Sequence, residues 1–471
     1  MARRDGPSQC SLELVASTGD IAASHAADPA KSPDDVLSYL ESAQWTADGT
    51  TLLTHSSTNL VSGYTLPEDL LSAGREHVLS PQAQVQLPEP SIALPAPYYA
   101  LAAPWTHHLL VSSRDHPIQL RNITLSSTPD EDWSSAVGSY PFTKPHSDAF
   151  LAATSLLWPS PGTHFIAGSR SLLARFDARR SGESPVVRVP TIPSERHLSK
   201  GGGVGMRGTV SALGAQPTDG GSGAGLVAAG TWTRWVGLYD FAQAGKCVST
   251  WTIAAAVRET AATWTPDVGE GVRGGDPDGI GGNGITQTTW SPCGRYLVIC
   301  ERKSRGALIY DVRVTGRLLG YLTGRDALGN QRISCDVFPG GAGDGGGFEV
   351  WSGTSSGMVK IWEHIGTQEG PHAPTWEWAA HQSTVGATCL HPSGSVVATC
   401  AGSWEFPDRE DDPKQHGSFD GSDQSSSTDC GGDSDDSQSG YETNSSNGSV
   451  PWMHRRNKES SLKIWNTAGL T

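Results

Sequence analysis

A chain of 471 residues with 56 glycines and 30 prolines, 36% hydrophobic and 18% charged, is too long for one ordinary core and too rich in turns for long helices. Its formal charge of −15 excludes a nonspecific coat for nucleic acid, because such binding is driven by Lys and Arg displacing counterions. The charge is uneven: residues 404–450 hold twelve Asp or Glu against two Lys or Arg, a net −10 that leaves −5 for the rest.

In chain order, residues 1–10 place no apolar run behind Arg3 and Arg4 and read as a disordered start without leader or anchor. Residues 11–17 (SLELVAS) read as a strand. One unit then recurs: an apolar strand, a turn with Pro or Gly, a second apolar strand, a short polar turn, and a third strand ending in an aromatic. Copies lie at 44–66, 98–122, 155–178, 210–241, 285–312, 332–364 and from 384 onward, seven in all, those at 98–122 and 332–364 being the weakest matches. The clearest reads ITQTTWSPCGRYLVICERKSRGALIYDV over 285–312. Six third strands end on Tyr64, Phe176, Tyr239, Tyr310, Trp362 and Trp465, and the remaining one on Leu120, relaxed forms of a Trp-Asp signature. The aromatic is expected to pack between units and a following acid to cap a turn.

One such unit leaves a sheet face uncovered, so the copies must stack and the ring must close. The predicted fold class is all-β: a seven-bladed β-propeller of WD40 type over 11–471, with 11–17 supplying the outer strand of the last blade because six residues remain after Trp465. Residues 243–283 and 340–347 read as surface loops, and 404–459 as a disordered acidic insertion within the last blade, poor in apolar residues and rich in Ser and Asp. Serines in that run are either phosphorylated or only solubilising.

No stretch of eighteen apolar residues suggests a membrane span. The eight cysteines form no Cys-x-x-Cys pair and read as buried free thiols of a reducing compartment, and the histidines, His107-His108 included, lack metal spacing. No metal or cofactor is expected. Gly203-x-Gly205-x-x-Gly208 fits a dinucleotide fingerprint, but a strand rather than a helix follows it at Val210. Gly353-x-Ser355-x-Gly357 fits a hydrolase elbow, yet its register makes it a strand-to-strand turn. No catalytic residues are assigned.

The second-to-third-strand turns are more informative. If all project from one rim, Arg114, Arg170, Arg234, Arg302, Lys303 and Arg305 come from four consecutive blades. The segment leading into blade 6 adds Asn330, Gln331 and Arg332, and blade 4 adds Trp232 and Trp235. Cations interleaved with planar groups suit unpaired RNA. The alternative is that each Arg pairs with a neighbouring acid or covers its own blade.

The wording of several units resembles the telomerase Cajal body WD40 protein family. The residues that carry it are Gly329 to Ile333 with Asp336, Trp351 to Gly357, Val359 to Trp362, Trp45-x-x-Asp48-Gly49, Ser112-Ser113-Arg114-x-x-Pro117-Ile118, Gly237-Leu238-Tyr239 and Arg302-Lys303. The resemblance runs from Glu41 to Trp465, and an acidic insertion near 404–450 fits it. It implies a nuclear scaffold: animal members recognise a short loop motif in small Cajal body RNAs and telomerase RNA, and fungal relatives are connected with pre-mRNA splicing. This chain differs from the animal pattern in its short segment before Ser11 and its Gly-rich insertions. The function expected is therefore a non-enzymatic scaffold, a monomeric ring in the nucleus or, less favoured, the cytoplasm, binding small nuclear RNA or its ribonucleoprotein. A protein-only WD40 adaptor of nuclear complexes is the alternative.

Overall fold

The computed structural model describes residues 7–21, 38–72, 74–88, 90–123, 136–192, 205–217, 225–257, 280–340, 347–404 and 458–468. Seven small sheets follow one another as the blades of a propeller. Their inner strands are Leu40–Trp45, Ser91–Pro95, Ser155–Leu157, Val210–Ala215, Ile285–Trp290, Cys335–Pro339 and Val385–Leu390 for blades 1 to 7. No described helix is long and apolar enough to cross a membrane.

Local chemistry explains the repeat. The turn after the inner strand needs a left-handed residue, and Gly49, Gly294 and Gly394 fill it in blades 1, 5 and 7 with φ of 72°, 67° and 73°. In the third strands Tyr64, Phe176, Tyr239, Tyr310, Trp362 and Trp465 are buried as expected. The acid after three of them caps the next turn: Asp177 accepts from the Arg179 amide, Asp240 from Ala242 and Asp311 from Arg313.

Hydrogen bonds run from blade to blade around the whole ring. Gln44 Nε2 donates to the Ala93 carbonyl at 3.0 Å, Ser155 Oγ to Val210 at 2.8 Å and Ser211 Oγ to Ile285 at 2.5 Å. Gln287 Nε2 donates to Cys335 at 2.7 Å, the Ser334 amide to Gly386 at 2.8 Å, and Trp45 Nε1 to Cys389 at 3.0 Å. Blades 2 and 3 meet through the edge-on rings of Tyr98 and Trp158, 5.5 Å apart.

The seam closes as the sequence predicts. Glu13–Ser17 pairs antiparallel with Ser461–Asn466, so chain start and chain end share one sheet. Ser8–Gln9, expected within a disordered start, instead pairs in parallel with Trp376 and Glu377, because Gln9 Nε2 reaches Glu377 Oε1 at 2.6 Å and backbone bonds flank it. Two similar parallel additions occur: Gly370–His372 on the edge of blade 5 and His77–Val78 on that of blade 7. In each case the donor segment precedes the outer strand of the following blade. Blades 5 to 7 thereby hold five strands and blades 1 to 4 four.

Other expectations need correction. The inner strand of blade 2 is Ser91–Pro95, upstream of the expected 98–122 unit, and the connection to its second strand holds the short 3-10 turn Pro104–Thr106. The loop expected at 243–283 begins with the outer strand of blade 4, Lys246–Thr252. Residues 341–346 and 405–457, the bulk of two expected loops, lie outside the described residues. Cys247 and Cys293 are exposed rather than buried, one on that outer strand and one in the turn after Trp290, whereas Cys300, Cys335 and Cys400 are buried.

The last blade is pinned by a buried polar network. His381 Nδ1 lies 2.9 Å from Glu459 Oε1 and Nε2 lies 2.8 Å from Thr399 Oγ1, to which Trp465 Nε1 also donates. Burial alone would raise the Glu459 carboxyl, but His381, Lys463, Ser461 and the Gln382 amide hold it well below its ordinary range. Burial lowers His381, outweighing the opposing pull of Glu459. Both groups sit below their unfolded values, 6.5 for the imidazole and 4.5 for the carboxyl. The unfolded chain therefore binds more protons, and stability present above each value is lost as pH falls through it. The urea midpoint should drop from pH 7.5 to pH 5, and His381→Gln should flatten the upper part of that fall. Equal slopes in both proteins would remove His381 from the account.

Candidate nucleic-acid and partner interface

In blades 1 to 6 the turn between second and third strands lies at the end where the inner strand begins. The register of blade 4 shows it: Val210 faces Thr231, and Gly230 faces Val236. Inner-strand starts of neighbouring blades also meet, as Ser211 Oγ to Ile285 O and Ser334 N to Gly386 O illustrate. All the turns therefore share one rim.

Contacts make this rim continuous from blade 3 to blade 6. Arg170 bridges Thr209, the Trp232 amide donates to the Thr209 carbonyl, and the Asn283 amide donates to that of Arg302. The Lys303 amide donates to the Gly329 carbonyl, and Ser355 Oγ to that of Asp326 at 2.6 Å. Arg114 joins the same rim in blade 2, its amide reaching the Pro90 carbonyl.

The eleven expected residues divide by what they touch. Arg114, Arg170, Lys303 and Arg305 are exposed, and their charged heads have no acidic partner among the described residues. Trp232 is 43% exposed, and the Arg302 guanidinium stands 5.7 Å from its ring centroid. Arg302 Nε is held by the Asn283 carbonyl at 2.6 Å, which fixes the plane of the stack. Gly284 makes this approach possible, since a Cβ there would lie 2.9 Å from the Trp232 carbonyl.

Two expected residues serve the fold instead. Arg234 gives Glu301 a two-pronged ion pair, Nε to Oε1 at 2.6 Å and Nη2 to Oε2 at 2.9 Å, and a third bond to the Ala254 carbonyl. Its side chain is 19% exposed and that of Glu301 1%, so this cation is a clasp between blades 4 and 5. Trp235 is half-buried against the Ile166, Met206 and Val210 cluster.

The segment before blade 6 turns toward the axis. Asn330 is exposed, and Gln331 Nε2 donates to the Gly402 carbonyl of blade 7 at 2.9 Å. Arg332 Nη2 lies 3.5 Å from the Ser211 carbonyl of blade 4 and shares an electrostatic contact with Glu41 of blade 1. Blades 1, 4 and 6 are not neighbours, so Arg332 reaches across the mouth of the axial channel. Arg332 is exposed as a whole residue, yet protein crowds its guanidinium, and that desolvation lowers its pKa against the pull of Glu41. Burial raises Glu41, while the Tyr39 hydroxyl and Arg332 lower it.

Sequence reasoning missed Glu301, Glu41 and the fully buried Arg325, whose guanidinium donates to Ser352 Oγ at 3.0 Å and to the Ile333 carbonyl. Only the fold brings these near their partners. The two motifs lack the strand-to-helix setting of their signatures: Gly208 leads into the strand Val210–Ala215, with Gly203 outside the described residues, and Ser355 lies in a strand-to-strand turn, its hydroxyl bonded to Asp326 O and the Leu328 amide. No three His, Cys, Asp or Glu gather at metal distance among the described residues.

No family model matches the chain. Telomerase Cajal body protein 1 of Bos taurus is 26% identical over 375 residues, 79% of this chain and 59% of its own length. The Homo sapiens protein of that name is 25% identical over 378 residues, 79% and 58% of the two lengths. The chain is homologous to telomerase Cajal body protein 1. It spans under three-fifths of the length of these relatives. Guanine nucleotide-binding protein negative regulator 1 of Schizosaccharomyces pombe is 22% identical over 348 residues, 73% of this chain and 75% of its own. The likeness to telomerase Cajal body protein 1 agrees with the resemblance carried by the segments around Trp45, Arg332 and Trp362, and with the seven-bladed fold.

Proposed function

We propose that this protein is a non-enzymatic nuclear scaffold that holds unpaired segments of a small nuclear RNA, or the ribonucleoprotein containing it, on the rim of blades 2 to 6. The observation that carries this reading is the exposed Trp232 under Arg302, flanked on one rim by Lys303, Arg305, Arg170 and Arg114 without acidic partners among the described residues. An aromatic face stacks any base, and unneutralised cations take the adjoining phosphates. The names of the mammalian relatives, which join telomerase to the Cajal body, support a nuclear setting and an RNA-containing partner.

Crosslinking followed by sequencing of bound RNA should enrich small nuclear species, and recovery at background level would reject the reading. In binding assays with single-stranded RNA, Trp232→Ala should cost about 1–3 kcal/mol. Replacing Arg302, Lys303 and Arg305 together by Ala should flatten the slope of log affinity against log salt by roughly 2. An unchanged slope would show that phosphates lie elsewhere.

A protein-only adaptor has two observations in its favour. The fission yeast relative is named for guanine nucleotide-binding proteins. On the opposite rim, the connection between the first two strands of blade 2 carries Trp105, 75% exposed, and the exposed Tyr98. A complex that survives nuclease treatment, with no enriched RNA, would favour this second reading.

A further inference from the structure

Blades 5 and 6 meet across two thiols. Cys300 lies in the second strand of blade 5, Tyr296–Glu301, and Cys335 opens the inner strand of blade 6, Cys335–Pro339. Both are buried, and their sulfurs are 3.4 Å apart although 35 residues separate them in the chain. The position of Cys335 is fixed from the blade 5 side. Gln287 Oε1 accepts from its amide at 2.8 Å while Gln287 Nε2 donates to its carbonyl at 2.7 Å.

A cation stands beside this pair. Arg325 is buried and makes no ion pair among the described residues, its donors going to Ser352 Oγ and to the carbonyls of Glu301 and Ile333. A buried guanidinium without a counter-charge favours any anion that forms next to it. Either thiol can donate to the other, and with Cys335 as donor that bond, aided by Arg325 against burial and Glu301, holds the Cys300 thiol below its ordinary value. The same bond, with burial, pushes Cys335 up. The two sulfurs thus divide into a nucleophile and a resolving partner.

We propose that Cys300 and Cys335 are a redox site, oxidised by peroxide to a disulfide that joins blade 5 to blade 6. The Cys300 thiolate attacks one oxygen of hydrogen peroxide, breaking the O–O bond and leaving a sulfenic acid and hydroxide. The Cys335 sulfur then attacks the Cys300 sulfur, its proton leaving with the sulfenic oxygen as water. Hydroxide takes up a proton, so two thiols and one peroxide give one disulfide and two waters. The sulfurs need close only from 3.4 Å to a bonding distance near ~2.05 Å.

The site lies where it affects the rim. Cys300 is followed by Glu301, which clasps Arg234, and by Arg302 in the Trp232 stack. Cys335 follows the segment that carries Asn330 to Arg332. A bond between the two ties these segments together, whichever partner the rim binds.

The test uses the full chain in its native state. After brief peroxide treatment it is denatured in alkylating agent, digested without reductant and read by mass spectrometry. The expected product is a peptide pair joined through Cys300 and Cys335 that reductant separates, with Tm raised by about 3–5 °C. Cys335→Ser should abolish both, whereas replacing the exposed Cys247 and Cys293 by Ser should leave both intact. Recovery of Cys300 and Cys335 as alkylated thiols, at a dose that oxidises Cys247 and Cys293, would overturn the proposal without reference to any variant.

Discussion

The intact protein should unfold in one cooperative transition, and deletion of residues 1–17 should abolish it. The deleted segment is the outer strand of the last blade: Glu13, Leu14, Ala16 and Ser17 face Asn466, Trp465, Ile464 and Lys463. Leu12 is buried against Trp351, Val359 and Trp378, and Val15 and Ala16 against Leu40, Leu52 and Ile464. Each large apolar side chain returned to water costs about 1.5–3 kcal/mol, and the lost ladder exposes backbone groups of Ser461–Asn466 as well. The sum is comparable to the whole stability of an ordinary domain, roughly 5–15 kcal/mol. A peptide of residues 7–21 added in trans should restore the transition, because the seam is a sheet edge rather than a covalent joint. If the shortened chain melts at the temperature of the intact one, the ring is not closed through this strand.

Arg234→Ala should cost about 3–5 kcal/mol, since it leaves the Glu301 carboxylate buried and short of its two-pronged partner. The Gly282 and Gly284 amides also donate to Glu301, so the charge stays where it is rather than turning outward. Arg234→Met combined with Glu301→Gln should recover much of the loss, because no unpaired charge then remains buried. Arg302→Ala should leave the melting temperature nearly unchanged, its side chain being tied, among the described residues, to the Asn283 carbonyl and the Trp232 face. Thermal unfolding of the four proteins separates the clasp from the stack. A stable Arg234→Ala protein would return that residue to the free cations of the rim.

The ring was legible in the sequence because its signals are local. Trp290-Ser-Pro-Cys-Gly294 marks a turn by its own chemistry, and the third-strand aromatics mark the buried face by position. Outer strands were not legible: Ala83–Gln86 and Val187–Pro190 are four residues long and partly solvated, so their pattern is weak. The parallel additions of two or three residues exist only because a neighbouring blade offers an edge. The rim was legible as topology, since equivalent turns must share a side. Which of its cations were free was not. Arg234 finds Glu301 67 residues later, and Arg332 finds Ser211 121 residues earlier, separations at which spacing carries no information.

The parallel additions overlap in one direction, each blade from 6 through 7 to 1 lapping the one before it like a roof tile. Over that part of the circumference two or three residues of each outer strand are already paired, which shortens the open row of amides that a strand from a second molecule could extend. Blades 1 to 4 carry no such lap among the described residues. Growth of the sheet from outside is therefore least obstructed on one arc, the arc that also carries Arg114, Arg170 and Trp232.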